Sequence, residues 1–305
     1  MHNDRALAHA AALFTILVWG TTFIATKILL SSFSPLEILV IRFAMGYLGL
    51  WFLDRIRHGR KPAIPFQLKQ ELLFAGAGLT GVVMYYLLEN YALTFTYASN
   101  VGILVSIAPL TTALLAPFFL KEEKVRPSLL LGFAISSIGA ALVMLNGTID
   151  IHLSLRGDLL ALASTLGWAI YSIILKKIDT HTYKVASYTK RIFFYGVLFM
   201  LPATFFGDFS ISPEDFTPTH TLLLLFLGLG ASATCFVSWN HAVAVLGVFR
   251  TSAYIYLTPL ISLFTAALVL GEPVTSMALS GCLLILLGLY VSERRPPVSI
   301  SIATT

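Results

Sequence analysis

Stretches nearly free of Asp, Glu, Lys and Arg divide this chain into ten apolar runs joined by short polar segments. A run of about 20 apolar residues is what a helix needs to cross the hydrocarbon of a bilayer. Helices are the natural reading, because lipid offers no water to unpaired backbone groups. The first five are expected near Ala8 to Thr26, Leu36 to Leu53, Leu72 to Leu88, Ala98 to Leu120 and Ser128 to Asn146. The second five are expected near Leu159 to Leu175, Ala186 to Phe206, Thr221 to Trp239, Thr251 to Leu270 and Val274 to Val291. The second and seventh runs contain charges and are the least clean. The first run sits where a signal peptide would, but it is longer than a typical h-region and has a counterpart later in the chain, so it reads as retained structure.

Composition agrees with this pattern. Of 305 residues, 57% are hydrophobic and 11% charged, whereas an ordinary soluble domain carries about 25% charged residues. That excludes a soluble enzyme or binding module and leaves no room for a separate soluble domain. The two cysteines, Cys235 and Cys282, lie inside apolar runs with no metal or redox spacing.

The net charge of +5 would hint at nucleic acid in a soluble protein, but its distribution says otherwise. Arg5, Arg55, Arg57, Arg60, Lys61, Lys69, Lys121, Lys124, Arg126, Lys176, Lys177, Lys184, Lys190, Arg250, Arg294 and Arg295 fall on the side of the amino terminus. The other side has essentially Arg156, with Lys27 near a helix end, and a loop carrying Asp208, Glu214 and Asp215. The positive-inside rule then makes both termini cytoplasmic, which requires an even number of spans. A multi-pass protein of the cytoplasmic (inner) membrane is expected, with lipid and a small-molecule substrate as partners and no nucleic acid. Whether it forms a homodimer is left open.

The chain also contains itself twice. A shift of 149 carries Trp19 onto Trp168, Lys27 onto Lys176, Arg42 onto Arg191, Gly132 onto Gly281 and Gly139 onto Gly288. A shift of 150 carries Gly78 onto Gly228, Asn90 onto Asn240, Pro109 onto Pro259 and Glu122 onto Glu272. There are only four Trp and five Asn in the chain, so these coincidences carry weight. Residues 1–149 and 150–305 are therefore read as two repeats of five helices. An odd number of spans per copy inverts the second copy. The expected fold class is an all-α membrane protein of ten transmembrane helices in two inverted five-helix repeats, an architecture of many secondary transporters, with substrate held near the midplane between the halves.

The residues that repeat resemble a known family. Trp19-Gly20, Asn90-x-Ala92, Ala98-Ser99, Pro109 thirteen residues before Glu122, and Gly132 with Gly139 are similar to the EamA-type domain of the drug/metabolite transporter superfamily. Asn240-x-Ala242, Pro259 thirteen residues before Glu272, and Gly281 with Gly288 repeat the pattern. The chain departs from it at Lys121, where glycine usually precedes the glutamate, and its copies differ at Glu123 and Pro273. The resemblance implies a ten-helix basket. Helices one, three, four, six, eight and nine would surround a cavity, two and seven would flank gates, and five and ten would lie at the periphery. It also implies export of amino acids, drugs or other small metabolites.

Within that frame, Trp19, Tyr86, Trp168, Tyr171, Trp239 and Tyr254 are candidates for the substrate cavity, where aromatic faces stack on planar groups or hold cations. An interfacial belt is the competing reading. Glu89 extends the third apolar run and could hold a substrate amino group or a coupling proton, or simply pair with Arg42 or Lys27. Asn90 and Asn240 offer donors and acceptors beside it. Arg42, Arg191, Lys27 and Lys176 read as groups snorkelling from helix ends. Pro109 and Pro259 each remove a backbone bond midway along a span and are candidate hinges. Glu122 and Glu272 read as loop-closing caps, and Gly76, Gly78, Gly81, Gly228 and Gly230 as packing positions.

No G-x-x-x-x-G-K-[ST], H-E-x-x-H or G-x-S-x-G motif is present, so no catalytic residue, metal or cofactor is assigned and the chain is not expected to be an enzyme. The expected function is a secondary transporter working by alternating access, exporting amino acids or related metabolites. Drug or quaternary-cation efflux is the alternative. A non-transporting receptor or assembly factor, and a channel, remain open as other classes.

Overall fold

The computed structural model describes residues 2–58, 66–95, 98–120, 125–145, 154–206, 209–270 and 274–293. Glu122 and Glu272 lie outside them, as does the side chain of Lys27. The described residues are helical apart from short connections, with no strand among them. Their helical segments group into ten rods. These are α1 (His2–Leu29), α2 (Pro35–His58), α3 (Leu68–Phe95) and α4 (Ala98–Val105 and Ala108–Phe119), then α5 (Pro127–Leu145) and α6 (Leu155–Lys177). They continue as α7 (Val185–Phe206), α8 (Pro218–Leu246), α9 (Val248–Ala253, Tyr254–Leu257 and Thr258–Leu270) and α10 (Ser276–Glu293). Seven segments are long and apolar enough to cross a membrane: Asp4–Thr26, Pro35–Ile56, Leu68–Phe95, Val101–Phe119, Pro127–Leu145, Leu155–Lys177 and Pro218–Leu246.

Helix starts follow local chemistry. Ser34 and Glu37 form a reciprocal cap at the start of α2, each accepting from the other's backbone N–H, with Pro35 at the first helical position. Ser154 caps α6 by accepting from the Gly157 N–H, and Thr217 caps α8 by accepting from His220. Helices α8 and α9 meet at Gly247, whose φ of 87° lies in the left-handed region that glycine enters without steric cost.

Two irregularities recur at repeat-related positions. Wide π turns interrupt α3 at Gly78–Met84 and α8 at Phe226–Thr234. Turns also break α4 at Ser106 and Ile107 and tighten α9 at Tyr254–Leu257. Each of the latter two ends just before a proline, Pro109 or Pro259, at the second position of the helical piece that follows. A proline there loses no helical hydrogen bond, because the first turn of a helix has none to lose. The spans expected around these prolines are thus helix pairs joined end to end.

Equivalent helices pack against one another. Along α5 and α10, a Cβ on Gly139 would stand 2.6 Å from the Gly281 carbonyl oxygen, and one on Gly281 2.6 Å from the Gly139 carbonyl. Gly132 and Gly288 approach each other in the same way. The lower number of one helix meets the higher of the other, so α5 and α10 run antiparallel. Their outward faces, with Leu131, Ile138, Leu283, Leu286 and Tyr290, are exposed. The largest apolar core lies elsewhere, where α1, α2, α3, α6, α7 and α8 bring together Ile16, Phe43, Phe74, Tyr86, Trp168, Tyr171, Phe193, Phe236 and Trp239.

Candidate functional site

Three indoles meet in that core. Trp19 from α1, Trp168 from α6 and Trp239 from α8 have ring centroids 5.4, 5.3 and 5.8 Å apart for the pairs 19/168, 19/239 and 168/239. The first two stand at equivalent positions of the sequence repeat and meet edge to face. Phe236, one helical turn before Trp239, completes the group, with centroids 5.5 Å from Trp19 and 6.0 Å from Tyr171. Tyr85 and Tyr86 at the start of the helical part of α3 that follows the π turn close it, Tyr85 5.0 Å from Trp168 and Tyr86 5.3 Å from Phe43.

Trp239 is 0% and Trp168 3% exposed, which rules out the interfacial belt for both. Their Nε1 donors are buried and have no hydrogen-bond partner among the described residues. Trp19, by contrast, donates to the Ala231 carbonyl in the π turn of α8, at 2.9 Å.

A buried charge borders the aromatics. Arg42 is 4% exposed and lies seven residues inside α2, about 10 Å along the axis at 1.5 Å per residue. Its Nε donates to the Ser232 hydroxyl at 2.6 Å, an Nη donates to the Tyr86 hydroxyl at 3.3 Å, and the guanidinium stacks 4.6 Å from the Tyr86 centroid. The sequence expectation of a snorkelling side chain is therefore corrected. Tertiary partners on α3 and α8 hold Arg42 inward, and a residue's distance from its own helix end cannot reveal them. Glu89, buried on α3 one turn beyond Tyr86, interacts with Arg42 electrostatically. Asn90 is buried next to it.

The repeat equivalent Arg191 does something different. It pairs with Glu71 near the start of α3, and Tyr195 donates to the same carboxylate at 2.9 Å. Helix α3 thus carries an acid toward each end, Glu71 and Glu89, about 27 Å apart along the axis. Glu71 pairs with Arg191 on α7, and Glu89 lies within the electrostatic influence of Arg42 on α2, the repeat-related helix.

Other candidates are placed differently. Asn240 is fully buried, but its side chain is already engaged: its carbonyl accepts from the Tyr171 hydroxyl at 2.6 Å and its amide donates to Thr189 at 2.9 Å. It ties α6, α7 and α8 together. Tyr254 stands in the tight turn before Pro259, its hydroxyl 2.7 Å from Nδ1 of His9, ten residues or about 15 Å along α1 from Trp19. Sequence reasoning passed over Tyr85, Phe43, Phe193 and Phe236. The one-turn spacing of Phe236 and Trp239 was the only local signal available for any of them.

Comparison with known proteins extends these observations. The chain matches the EamA-like transporter family over residues 6–145 and again over 155–293. A transporter of Archaeoglobus fulgidus is 27% identical over 94% of this chain and 97% of its own. A protein of Salmonella typhimurium named a probable amino-acid metabolite efflux pump is 26% identical over 92% of this chain and 93% of its own. One of Streptantibioticus cattleyicolor named a probable terminal-alkyne amino-acid exporter is 28% identical over 93% of each. A solved crystal structure shares the fold with a TM-score of 0.76, at 20% identity over 95% of this chain and 98% of that one. With two family matches that together span nearly the whole sequence, and apolar helices built to cross a bilayer, this chain is a multi-pass membrane protein that belongs to the EamA-like transporter family.

Proposed function

We propose that this protein exports amino acids or closely related metabolites across the cytoplasmic membrane by alternating access. Ten spanning helices form two inverted repeats, 1–149 and 150–305, with both termini in the cytoplasm. The observation that carries this reading is the antiparallel, reciprocal packing of the repeat-related helices α5 and α10 through Gly139 and Gly281. An inverted duplication offers two conformations of similar energy, one open to each side. Tracts such as Gln70 to Phe95, which has acids only near its two ends, can form one face of the central pathway. The exposed apolar faces of α5 and α10 meet lipid.

The cargo site is the junction where Arg42, Glu89, Tyr86 and the indoles converge. A zwitterion presents one carboxylate and one ammonium, and Arg42 and Glu89 offer the complementary pair. Arginine's planar fork suits a carboxylate. Trp239 adds an N–H donor without a partner, and the aromatic walls accept an apolar side chain. The names of the Salmonella and Streptantibioticus relatives support amino acids as the class. Pro109 and Pro259 serve as hinges, since each follows a break in its helix. Proteoliposome uptake of a panel of neutral amino acids and quaternary ammonium compounds tests the assignment. Amino-acid flux supports it, and flux confined to the quaternary ammonium compounds transfers the site to cation efflux, with Glu89 as the sole counter-charge.

A further inference from the structure

Trp19 and Trp168 occupy the same position in the two repeats but are not in the same state. Trp19 donates its indole N–H to the Ala231 carbonyl in the π turn of α8. The shift of 150 that relates α3 to α8 carries Ala231 onto Gly81, inside the π turn Gly78–Met84 of α3. The equivalent bond would run from Trp168 to the Gly81 carbonyl. It is absent: Trp168 Nε1 is buried with no partner among the described residues.

The π turn that carries this acceptor nonetheless packs against α6. A Cβ on Gly167, the residue before Trp168, would stand 3.0 Å from the Thr80 carbonyl oxygen, so the backbone of α6 already lies on the π turn. Tyr171, one turn after Trp168 on the same face, packs its ring directly on Gly81. A π turn spaces its backbone bonds more widely than an α-helix and is a frequent companion of functional sites. In the second repeat, side chains bond to the carbonyls it presents: the Thr234 hydroxyl donates to Leu229 at 2.9 Å, and Trp19 to Ala231. An unpaired N–H in a dry interior costs free energy, so the open Trp168 donor has a driving force to find an acceptor.

We infer that Trp19 and Trp168 are reciprocal latches that select between the two access states. In the state seen here Trp19 is bonded to the π turn of α8 and Trp168 is released. In the opposite state Trp168 bonds the Gly81 carbonyl and the Trp19 bond to Ala231 opens. The two rings touch edge to face at 5.4 Å, so a movement of one indole is felt by the other. This rests on the alternating-access reading of the preceding section and deepens it by naming the residues that set the balance.

The test is carried out on the full chain, reconstituted in lipid nanodiscs without cargo, with Cys235 and Cys282 replaced by alanine. Spin labels are placed on two exposed, repeat-equivalent pairs, Ser32 with Thr219 and Lys69 with His181. Transmembrane hydrogen bonds are worth little each, so replacing an indole by phenylalanine should move the state populations by about threefold. Trp19→Phe shifts the two distance distributions toward the opposite state, Trp168→Phe shifts them further toward the present one, and the double variant Trp19→Phe/Trp168→Phe returns them near wild type. Single variants that move the distributions in the same direction, or not at all, overturn the latch, as does a double variant that stays as far from wild type as either single variant. Uptake by the unsubstituted protein is measured in parallel. Opposed shifts in a protein that moves no cargo would leave the latch standing and sink the transport reading instead.

Discussion

Gly139 and Gly281 lie so close that a methyl group on either would sit 2.6 Å from the other's carbonyl oxygen. Backbone, not a flexible side chain, is what such a methyl would meet, so the helices themselves would have to part. Gly139→Ala or Gly281→Ala should therefore cost about 1–3 kcal/mol, the usual range for overpacking, and lower the thermal midpoint of the purified protein. Gly230→Ala is the control. Its nearest neighbours, on Phe226, are 3.5 Å away, and the variant should melt close to wild type.

Glu71→Gln removes the partner of Arg191 and weakens the acceptor used by Tyr195. With side chains 25% and 10% exposed, this pair is better shielded than a surface salt bridge. A loss of about 1.5–3 kcal/mol is expected, as for hydrogen bonds to charged groups. A double-mutant cycle with Arg191→Gln should return a coupling energy clearly above zero, whereas additive losses would mean that the two groups act independently.

The chain's regularities and its exceptions were not equally legible. Apolar runs and the recurrence of Trp19 at Trp168 revealed the helices and the duplication, because membrane burial acts on composition and a duplication preserves rare residues. Pro109 and Pro259 marked where the spans are irregular, but the expected loss of a backbone bond midway along a helix is corrected: each proline stands at the second position of a new helical piece, where no bond is lost. The π turns in α3 and α8 were not legible, since widening a helical turn within an apolar run changes no residue's polarity. Arg42 was misread because Ser232 is 190 residues away. Asn240 was expected to offer its donor and acceptor to a substrate cavity, yet both are taken by Tyr171 and Thr189, partners from helices that only the fold brings together.

In the turn between α6 and α7, outside the apolar spans, Asp179 accepts from the Thr182 hydroxyl and from the backbone N–H groups of His181 and Thr182. These bonds favour the charged carboxylate and hold its pKa below the ordinary aspartate range. A depressed pKa means that the turn's stabilisation is present at neutral pH and is lost as pH falls through the lowered value. Limited proteolysis should nick Asp179→Asn faster than wild type at pH 7. Wild type should match the variant only in acid below the usual carboxylate pKa. Equal rates at pH 7 would show that the carboxylate does not hold the turn.

At the cargo junction, Arg42→Gln and Glu89→Gln should each weaken transport of a zwitterion at least tenfold in uptake at low substrate, while the folded fraction stays high. Arg42→Lys should not restore it, since an ammonium cannot bond Ser232 and Tyr86 while presenting a fork to cargo. If Glu89 also carries a coupling proton, Glu89→Gln abolishes stimulation by a pH gradient. Proton-driven uptake left intact in that variant would restrict Glu89 to binding the amine.

The central claim is that cargo crosses by exchange between two conformations at a site shared by the repeats, and counterflow measures this most directly. Proteoliposomes loaded with an unlabelled neutral amino acid should transiently accumulate the same labelled amino acid from outside above its equilibrium level, and Arg42→Gln should abolish the overshoot. Labelled amino acid that only equilibrates, with no overshoot at any internal load, would contradict alternating access.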